Sequence, residues 1–297
     1  MGMMTVAEAA ERWGVSGRTV RNYCSQGRIP GAQLAGKTWL IPSDAEKPRR
    51  KTRRANGPSN LLDVLRREKE AQLSGGIYHY VQVELTYNSN HIEGSRLTHE
   101  QTRYIFETNT IGVADAVHVD DIVETVNHFH CIDFIIDAAR RMLSPSLVKQ
   151  LHLQLKSGTT DASKSWFAVG DYKRLPNEVG GRETVPPEQV PTRMRELIDA
   201  YESSGTKSFE DIVSFHVAFE AIHPFQDGNG RVGRLIMFKE CLRHGITPFI
   251  ITDELKMFYY RGLHEWNNER GYLLDTCLTA QDAFEDTLGR FGLRTSR

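Results

Sequence analysis

The chain has 297 residues, a length that predicts about two domains, with 39% hydrophobic and 25% charged residues. This balance is ordinary for a globular protein and excludes disordered, collagen-like and coiled-coil classes. No apolar run reaches the roughly 20 residues needed to cross a bilayer, and the first residues lack the pattern of a secretory leader. We therefore expect a cytoplasmic protein with no membrane partner. The four cysteines are far apart and form no CxxC pair, so we expect reduced thiols.

Charge is distributed unevenly along the chain. Residues 1–56 contain 11 Lys or Arg against 4 Asp or Glu, a net charge of +7, whereas residues 57–297 contain 26 against 34, a net charge of −8. The run KPRRKTRRANGPSN at 47–60 has no large apolar residue, which is typical of a linker. We predict domains at 1–46 and 61–297 joined by this basic linker, with the basic N-terminal part binding a polyanion.

The N-terminal part has the pattern of two short helices followed by two short strands. In TVAEAAERWG, Thr5 can cap a helix with one apolar face, and Gly14 can end it. The segment VSGRTVRNYCSQG predicts a second helix. Runs of β-prone residues at 32–34 and 38–41, with a short turn between them, predict a wing.

This stretch resembles the small winged helix-turn-helix domains of the excisionase and MerR-like group. The resemblance implies that the second helix enters the major groove of double-stranded DNA. A protein-docking surface is the alternative that the charges alone leave open. The residues implied in DNA contact are Arg18, Arg21, Asn22, Arg28 and Lys37.

The segment IHPFQDGNGRVGR at 222–234 carries a histidine, an acid, three glycines and two arginines. Before it, apolar residues from Ile212 to Ile222 recur at spacings of three and four, which predicts a helix. After it, the pattern predicts another helix that ends at Gly245. The loop therefore precedes a helix N-terminus, where free N–H groups and the helix dipole favour phosphate, and its glycines let that backbone approach closely.

The side chains of this loop suit phosphate chemistry. Asp227 can bind Mg²⁺, which usually takes one or two carboxylates together with substrate phosphates. Arg231 and Arg234 are three residues apart and can bind further phosphate oxygens. His223 is the nearby group whose ordinary pKa suits a general base at neutral pH.

The sequence HPFQDGNGRVGR resembles the signature of the Fic domain family, H-x-F-x-[DE]-G-N-G-R-x-x-R, at every fixed position. The likeness extends over about residues 62–270, and residues 170–197 are similar to the region that holds the family's target-binding flap. The resemblance implies a mainly α protein, in which an all-helical Fic domain with a β-hairpin flap follows the small winged helix-turn-helix domain. The implied reaction transfers AMP from ATP, with Mg²⁺, to a Ser, Thr or Tyr hydroxyl of a target protein.

The resemblance also assigns roles to individual residues. The implied roles are His223 as the base, Asp227 as the Mg²⁺ ligand, Gly228, Asn229 and Gly230 as the anion hole, Arg231 on the β-phosphate, Arg234 on the γ-phosphate, and Tyr259 and Tyr260 at the border of the adenine pocket. For the two tyrosines, packing in the core is an equally open interpretation.

A second motif lies upstream in YNSNHIEGSRLT, where Ser89 and Glu93 are four residues apart and Gly94 follows. Residues at this spacing share a helix face, and the glycine can end the helix. The motif resembles the inhibitory helix of Fic proteins, here near 77–94, whose glutamate pairs with the second arginine of the signature and takes the place of the γ-phosphate. In this chain that arginine is Arg234. An ordinary surface glutamate is the alternative.

These inferences predict a self-inhibited protein adenylyltransferase, acting on a target protein or on itself, with a DNA-binding module. The alternative is a transcription regulator whose Fic domain senses nucleotide, or performs a different transfer or AMP removal. The oligomeric state stays open, with a homodimer as one option.

Overall fold

The structure is a computed structural model that describes residues 2–25, 27–35, 38–48, 58–112 and 116–293. The expected mainly α fold is confirmed, because the described residues form twelve α-helices and two small antiparallel β-sheets. One sheet belongs to the N-terminal part and the other is a short hairpin in the larger part.

The N-terminal part combines two short helices with a three-stranded sheet in the order β1-β3-β2. Its elements are β1 (Met3–Thr5), α1 (Val6–Trp13), α2 (Gly17–Ser25), β2 (Gln33–Ala35) and β3 (Thr38–Pro42). The predicted helices and wing strands are confirmed, whereas β1, which pairs with β3, has no counterpart in the sequence pattern. The predicted wing residue Lys37 lies outside the described residues.

The ends of α1 follow from its sequence. The Thr5 hydroxyl accepts a hydrogen bond from the Glu8 backbone N–H at 3.3 Å, and the Glu8 carboxylate accepts one from the Thr5 backbone N–H at 2.6 Å. This reciprocal capping satisfies N–H groups that the first turn leaves free. Gly14 ends the helix in the left-handed conformation, with φ of 61°.

The larger part is helical apart from one hairpin. Its elements are α3 (Pro58–Glu70), α4 (Ile77–Ile92), α5 (His99–Thr108), α6 (Val119–Asp137), α7 (Pro145–Lys156), β4 (Glu178–Val179), β5 (Arg182–Glu183), α8 (Val190–Glu202), α9 (Phe209–Ile222), α10 (Asn229–Arg243), α11 (Lys256–His264) and α12 (Gly271–Arg290). The hairpin of β4 and β5 falls inside the segment where the flap was expected. Helix α3 begins inside the segment 47–60 that we predicted as a linker, and most of that segment lies outside the described residues.

Helices α9 and α10 pack together in the core of the larger part. The predicted apolar face of α9 is buried, including Phe215 and Phe219. Helix α10 is buried on nearly all sides, so even Lys239 and Glu240 lie in the interior, where they form an ion pair of 2.6 Å. The loop that joins these two helices is therefore anchored at both ends in the core.

Each part of the chain has its own hydrophobic core. The N-terminal cluster is centred on Ala9, Val20 and Ile41, and all its members precede residue 46. The four cysteines are free and buried, as expected of reduced thiols. None of the helices formed by the described residues combines the length and the apolar character that a bilayer crossing requires.

Candidate active site

The loop between α9 and α10 is a tight turn with unusual backbone conformations at both ends. His223 caps the C-terminus of α9 with φ of 51°, a left-handed conformation that is uncommon for a residue other than glycine. Gly228 precedes α10 with φ of 81°. The side chain of Asn229 accepts a hydrogen bond from the Phe225 backbone N–H at 2.8 Å and donates one to the Phe225 carbonyl at 2.9 Å. This amide braces the loop, so the contribution of Asn229 to an anion site is its backbone N–H.

His223 is held as a neutral imidazole. Its side chain is 17% exposed, and its Nδ1 atom lies 3.9 Å from Oε2 of Glu220. Burial and the nearby Lys173 ammonium lower the pKa of His223 to about 4, although the Glu220 backbone carbonyl and the carboxylates of Glu93 and Asp227 act in the opposite direction. A neutral imidazole at pH 7 can accept a proton, which is the requirement for a general base.

The first turn of α10 lies close to a group that acts on His223, because the Glu93 carboxylate raises the pKa of His223 and would meet a Cβ atom at Gly230. Its first helical hydrogen bond runs from the Val232 N–H to the Gly228 carbonyl, which leaves the N–H groups of Asn229, Gly230 and Arg231 without intrahelical acceptors. Together with the positive end of the helix dipole, these groups form a site for a phosphate.

Asp227 belongs to a network of two carboxylates and two cations. Its Oδ2 atom accepts hydrogen bonds from Lys156 Nζ at 2.7 Å and from Arg231 Nη2 at 3.1 Å. Glu124, on α6, also pairs with both Lys156 and Arg231. Burial raises the pKa of Asp227, but Arg231 and Lys156 outweigh it and hold this pKa well below its usual range. The carboxylate is therefore ionised at neutral pH.

The surroundings of Asp227 fit a Mg²⁺ ion that arrives with a nucleotide. The side chain of Asp227 stays 46% exposed, so a phosphate-bound cation can reach the carboxylate. Within the described ranges no group of three or more His, Cys, Asp or Glu side chains is arranged to hold a metal. A single carboxylate that completes its coordination with phosphates and waters is the usual form of a Mg²⁺ site.

Arg234 is bound to the end of α4, far away in sequence. Its Nη2 atom lies 2.7 Å from Oε1 of Glu93 and donates to the Ser89 carbonyl at 2.9 Å, and its Nε donates to the Ser89 hydroxyl at 3.0 Å. The side chain of Arg234 is 3% exposed. Burial lowers the pKa of Arg234, but Glu93 outweighs this effect and raises it. The guanidinium is thus charged, with Nε and Nη2 bound at the end of α4 and Nη1 buried without a hydrogen-bond partner among the described residues.

The geometry at the end of α4 explains two glycines. Helix α4 ends at Ile92, Glu93 follows as its cap, and Gly94 continues with φ of 99°, where L-residues are strained. A Cβ atom at Gly230 would collide with the Glu93 carboxylate and would lie 2.8 Å from Arg234 Nη1. Gly230 therefore lets the first turn of α10 and the end of α4 approach each other.

The two tyrosines proposed for the nucleotide pocket lie beside this ion pair. Tyr259 is buried, and its hydroxyl lies 2.6 Å from His216 Nε2. The guanidinium of Arg234 is 5.9 Å from the centroid of its ring. Tyr260 is more exposed, and its hydroxyl donates to the Ile92 carbonyl at 3.1 Å. Tyr260 therefore supports the helix end that carries Glu93, whereas Tyr259 packs in the core between His216 and Arg234.

Several residues of the site carried no clear signal in the sequence. His152 on α7 bridges two loops, because its Nδ1 accepts from the Gly170 N–H at 3.0 Å and its Nε2 lies 3.2 Å from the Asp227 carbonyl. Lys156 follows His152 by four residues, and two polar residues at that spacing on a buried helix face are a usable signal. Glu124 and Lys173 gave none, because their partners are distant in sequence or lie in an irregular segment.

The residues proposed for DNA contact have varied surroundings. The Arg18 guanidinium lies 4.4 Å from the centroid of the Phe258 ring on α11, so Arg18 has to leave this ring to contact DNA. The Arg28 guanidinium lies 4.6 Å from the centroid of the Tyr23 ring. Arg21 is exposed and Asn22 is half-buried, both on α2, and Lys37 lies outside the described residues.

Comparison with known proteins identifies both parts of the chain. Residues 142–241 match the Fic/DOC family, and residues 3–45 match a helix-turn-helix domain. The chain is 29% identical over 212 residues to protein adenylyltransferase Fic of Drosophila willistoni, an alignment that covers 67% of this chain and 38% of that protein. It is 27% identical over 195 residues to protein adenylyltransferase fic-1 of Caenorhabditis elegans, which covers 61% and 36%. The chain spans less than two fifths of the length of these relatives.

Solved structures share the fold. A Fic domain containing signaling protein from Bacteroides thetaiotaomicron matches with a TM-score of 0.63 and 23% identity, covering 79% of this chain and 96% of that chain. A Fic family protein from Desulfovibrio desulfuricans matches with a TM-score of 0.59 and 21% identity, covering 82% and 77%.

Proposed function

Because the chain carries a Fic/DOC domain behind a helix-turn-helix domain, we propose that it is a self-inhibited protein adenylyltransferase. It transfers AMP from ATP to a hydroxyl side chain of a target protein or of itself. The curated relatives that bear the name protein adenylyltransferase support this assignment. The observation that carries it is the placement of a neutral imidazole, His223, next to the phosphate site at the first turn of α10.

The residues of the loop perform separate parts of this transfer. His223 removes the proton from the target hydroxyl, whose oxygen then attacks the α-phosphorus, and pyrophosphate leaves. The backbone N–H groups at Gly228, Asn229 and Gly230 stabilise the charge that develops on the α-phosphate oxygens. Arg231 binds the β-phosphate. Mg²⁺, when held by Asp227 and the nucleotide phosphates, neutralises charge on the leaving pyrophosphate.

Self-inhibition follows from the occupation of Arg234. An arginine that binds the γ-phosphate of ATP must offer its guanidinium, whereas here Glu93 and Ser89 take up its Nε and Nη2 donors. The Glu93 carboxylate also lies against Gly230, at the first turn of α10. Its negative charge in this position opposes the γ-phosphate electrostatically as well as sterically. ATP therefore binds productively only after the end of α4 moves away.

The remaining parts of the chain serve recognition. The hairpin of β4 and β5 pairs with an extended segment of the target and aligns its Ser, Thr or Tyr hydroxyl with His223. The N-terminal domain binds double-stranded DNA through α2. Both partners lie in the cytoplasm in this proposal.

The experiment is incubation of the chain with ATP and Mg²⁺, followed by mass spectrometry of modified proteins. We expect Glu93→Gly to raise AMP transfer or self-modification well above that of the unaltered chain, because it frees Arg234. Adding His223→Ala to this variant should abolish transfer while ATP binding persists, since the base serves chemistry and not affinity. The Glu93→Gly variant is the matched background for this comparison.

The outcomes separate the proposal from its alternatives. Equal transfer by Glu93→Gly and the unaltered chain would contradict self-inhibition. Retained transfer in the double variant would assign the base to another residue. Modification by phosphate, UMP or another group, in a parallel incubation with labelled nucleotides, would replace AMP transfer by that reaction. Nucleotide binding without any modification would favour a regulator that senses nucleotide.

A further inference from the structure

Lys173 is a buried lysine that bonds to both neighbours of His223. Only 3% of the surface of Lys173 is exposed. Its Nζ donates to the carbonyl of Ile222 at 3.4 Å, and its backbone N–H donates to the carbonyl of Pro224 at 2.8 Å. The two residues that flank the imidazole in the chain are therefore both fixed by Lys173.

The same ammonium also holds the base of the flap. Its Nζ donates to Oδ1 of Asn177 at 2.7 Å and to the hydroxyl of Thr184 at 2.5 Å. Asn177 directly precedes β4 and Thr184 directly follows β5, so these two residues mark the two ends of the hairpin. Asn177 further donates to the Phe225 carbonyl at 3.0 Å. Lys173 is thus the point at which the hairpin and the turn of His223 are joined.

Burying the ammonium of Lys173 is energetically unfavourable. Burial lowers the pKa of Lys173 to about 8, which is the cost of keeping a charge in the interior. Its hydrogen-bond acceptors are two neutral side chains and a carbonyl, and these stabilise an ammonium less than a carboxylate does. The charge therefore acts on its surroundings instead of being cancelled by an ion pair.

The nearest titratable group that this charge affects is His223. Three charged groups act on the imidazole from the elements around it: Lys173 from the segment before the flap, Glu93 from the end of α4, and Asp227 from the loop. Glu220 on α9 also faces the ring, but burial raises the pKa of its carboxyl to about 8, so this group is mostly neutral at pH 7 and Glu220 acts through its backbone carbonyl. The two carboxylates and this carbonyl favour the protonated imidazole, whereas burial and the ammonium of Lys173 favour the neutral one.

We propose that Lys173 is a positioning residue that fixes the turn of His223 to the base of the flap, with a charge that favours the neutral imidazole. The role assigned to His223 rests on the proposed adenylyltransferase function. Lys173 restrains both the flap, where the target binds, and the turn that orients the His223 base. Lys173 does not contact the target itself, because its side chain is buried and its donors are occupied by the flap and the turn.

The test compares Lys173→Met, which removes charge and donors, with Lys173→Arg, which keeps the charge. The matched control is Lys149→Met, which removes a lysine that pairs with Asp171 at 2.7 Å in the same region. The first readout is an NMR titration of the His223 ring in the full chain. We expect Lys173→Met to raise the pKa of His223 by about one unit, the effect of losing a nearby charge, with Lys173→Arg and the control close to the unaltered chain.

The second readout is the pH profile of self-modification in the Glu93→Gly background. A base works when it is unprotonated, so a higher pKa of His223 moves the acid limb of the profile to higher pH. We expect this shift for Lys173→Met. For Lys173→Arg we expect a profile close to that of the Glu93→Gly chain. An unchanged His223 titration in a folded Lys173→Met protein would overturn the proposal. Because the NMR titration needs no AMP transfer, failure of the adenylyltransferase assignment would be recognised separately.

A further variant covers the case in which Lys173→Met does not fold. Thr184→Val removes one acceptor at the flap and leaves the ammonium in place. We expect it to lower the rate constant of self-modification while ATP affinity is unchanged, because the flap loses one of its two side-chain bonds to the ammonium of Lys173. An unchanged rate constant would contradict the link.

Discussion

Single side chains decide how firmly Arg234 is held at the end of α4. Glu93 supplies an opposite charge at 2.7 Å, and Ser89 supplies a hydroxyl and a carbonyl to the same guanidinium. Of these three contacts, only the one with Glu93 has a charged acceptor. The contact with the Ser89 carbonyl is made by the backbone, so a substitution of the Ser89 side chain leaves it in place. Substitutions at positions 89 and 93 therefore separate the electrostatic from the hydrogen-bonding part of the inhibition.

Ser89→Ala is expected to weaken the inhibition partly. It removes one hydrogen bond to a charged group, worth about 1.5–3 kcal/mol, so basal self-modification should rise by roughly tenfold or more yet stay below that of Glu93→Gly. The measurement is the initial rate of self-modification with ATP and Mg²⁺. Ser95→Ala, past the end of α4, serves as the control and should leave the rate unchanged. A rate for Ser89→Ala equal to that of the unaltered chain would show that the carboxylate acts alone.

Contacts between helices place the charged groups around Asp227. Helix α6 supplies Glu124, α7 supplies Lys156, and α10 supplies Arg231. In this largely buried region Glu124 and Asp227 offset the charges of Lys156 and Arg231, and Asp161 adds a third carboxylate 3.3 Å from Lys156. Removing one member leaves its partners charged without compensation, which is more costly than the loss of an exposed ion pair.

Lys156→Met is therefore expected to lower the free energy of unfolding by about 3 kcal/mol, at the low end for a buried pair because Asp227 is nearly half exposed. Lys164→Met is the matched control. Its ammonium pairs with Asp161 at 2.6 Å but its side chain is 44% exposed, so the expected loss is below about 1 kcal/mol. Denaturant unfolding of the full chain measures both. Similar losses in the two variants would contradict the buried network.

The hairpin of β4 and β5 gives a prediction about backbone rather than side chains. A target segment that adds to this hairpin as a strand needs free main-chain groups at its edge. The Thr184 N–H bonds to the Asn177 carbonyl, so the alternation of the antiparallel pair turns the main-chain groups of Glu178 outward. Proline at Glu178 removes one edge N–H, so Glu178→Pro should impair modification of a target without weakening ATP binding, whereas Glu178→Ala keeps the N–H and should have little effect. Nucleotide binding is followed by calorimetry and modification by mass spectrometry. A set of proline variants across 171–183 without any loss would exclude this mode of binding.

The chain as a whole combines two hydrophobic cores of different size. The small N-terminal core shares no residue with the clusters of the larger part. The basic charge of residues 1–56 is likewise separate from the acidic remainder. These features favour two activities that can be removed or altered independently.

DNA binding by the full chain is expected to fall steeply with added salt, because Lys and Arg release condensed counterions from the phosphates. Arg18→Ala combined with Arg21→Ala should weaken binding and flatten the salt dependence, and it should blur sequence preference if either residue contacts a base. Fluorescence anisotropy with duplex DNA across a salt series measures this. Arg103→Ala with Arg193→Ala removes the same charge from α5 and α8 and serves as the control. No binding at low salt would make the N-terminal domain a protein-docking module.

Deletion of residues 1–57 should leave AMP transfer by the Glu93→Gly chain close to that of the full-length variant. The loop of the site and the end of α4 both belong to the larger part, so they retain their contacts. The initial rate of self-modification compares the two proteins. A large loss would mean that the contact between Arg18 and Phe258, or another contribution of the N-terminal domain, supports the site.

The sequence alone was sufficient for features that depend on neighbours along the chain. The capping of α1 by Thr5, the end of α4 near Gly94, and the turn between α9 and α10 follow from local rules of helix capping and periodicity. The winged N-terminal domain and the loop of His223 could be predicted for the same reason. Helix α10 could be predicted from its apolar positions and the glycine that ends it, whereas its burial on nearly all sides could not, because its charged residues are of types that usually lie at the surface.

The remaining features depend on which distant residues meet in space. Strand β1 is three residues long and exists because β3 offers it a partner. The sequence also gave no indication that Asp227 is bound by Lys156 and Glu124, or that Lys173 joins the flap to the turn of His223. These contacts change the pKa values of the site because the groups are buried. Their burial is set by the packing of helices that are far apart in the chain. The chemical groups of the site were thus readable from local motifs, whereas their ionisation and their restraint were decided by tertiary packing.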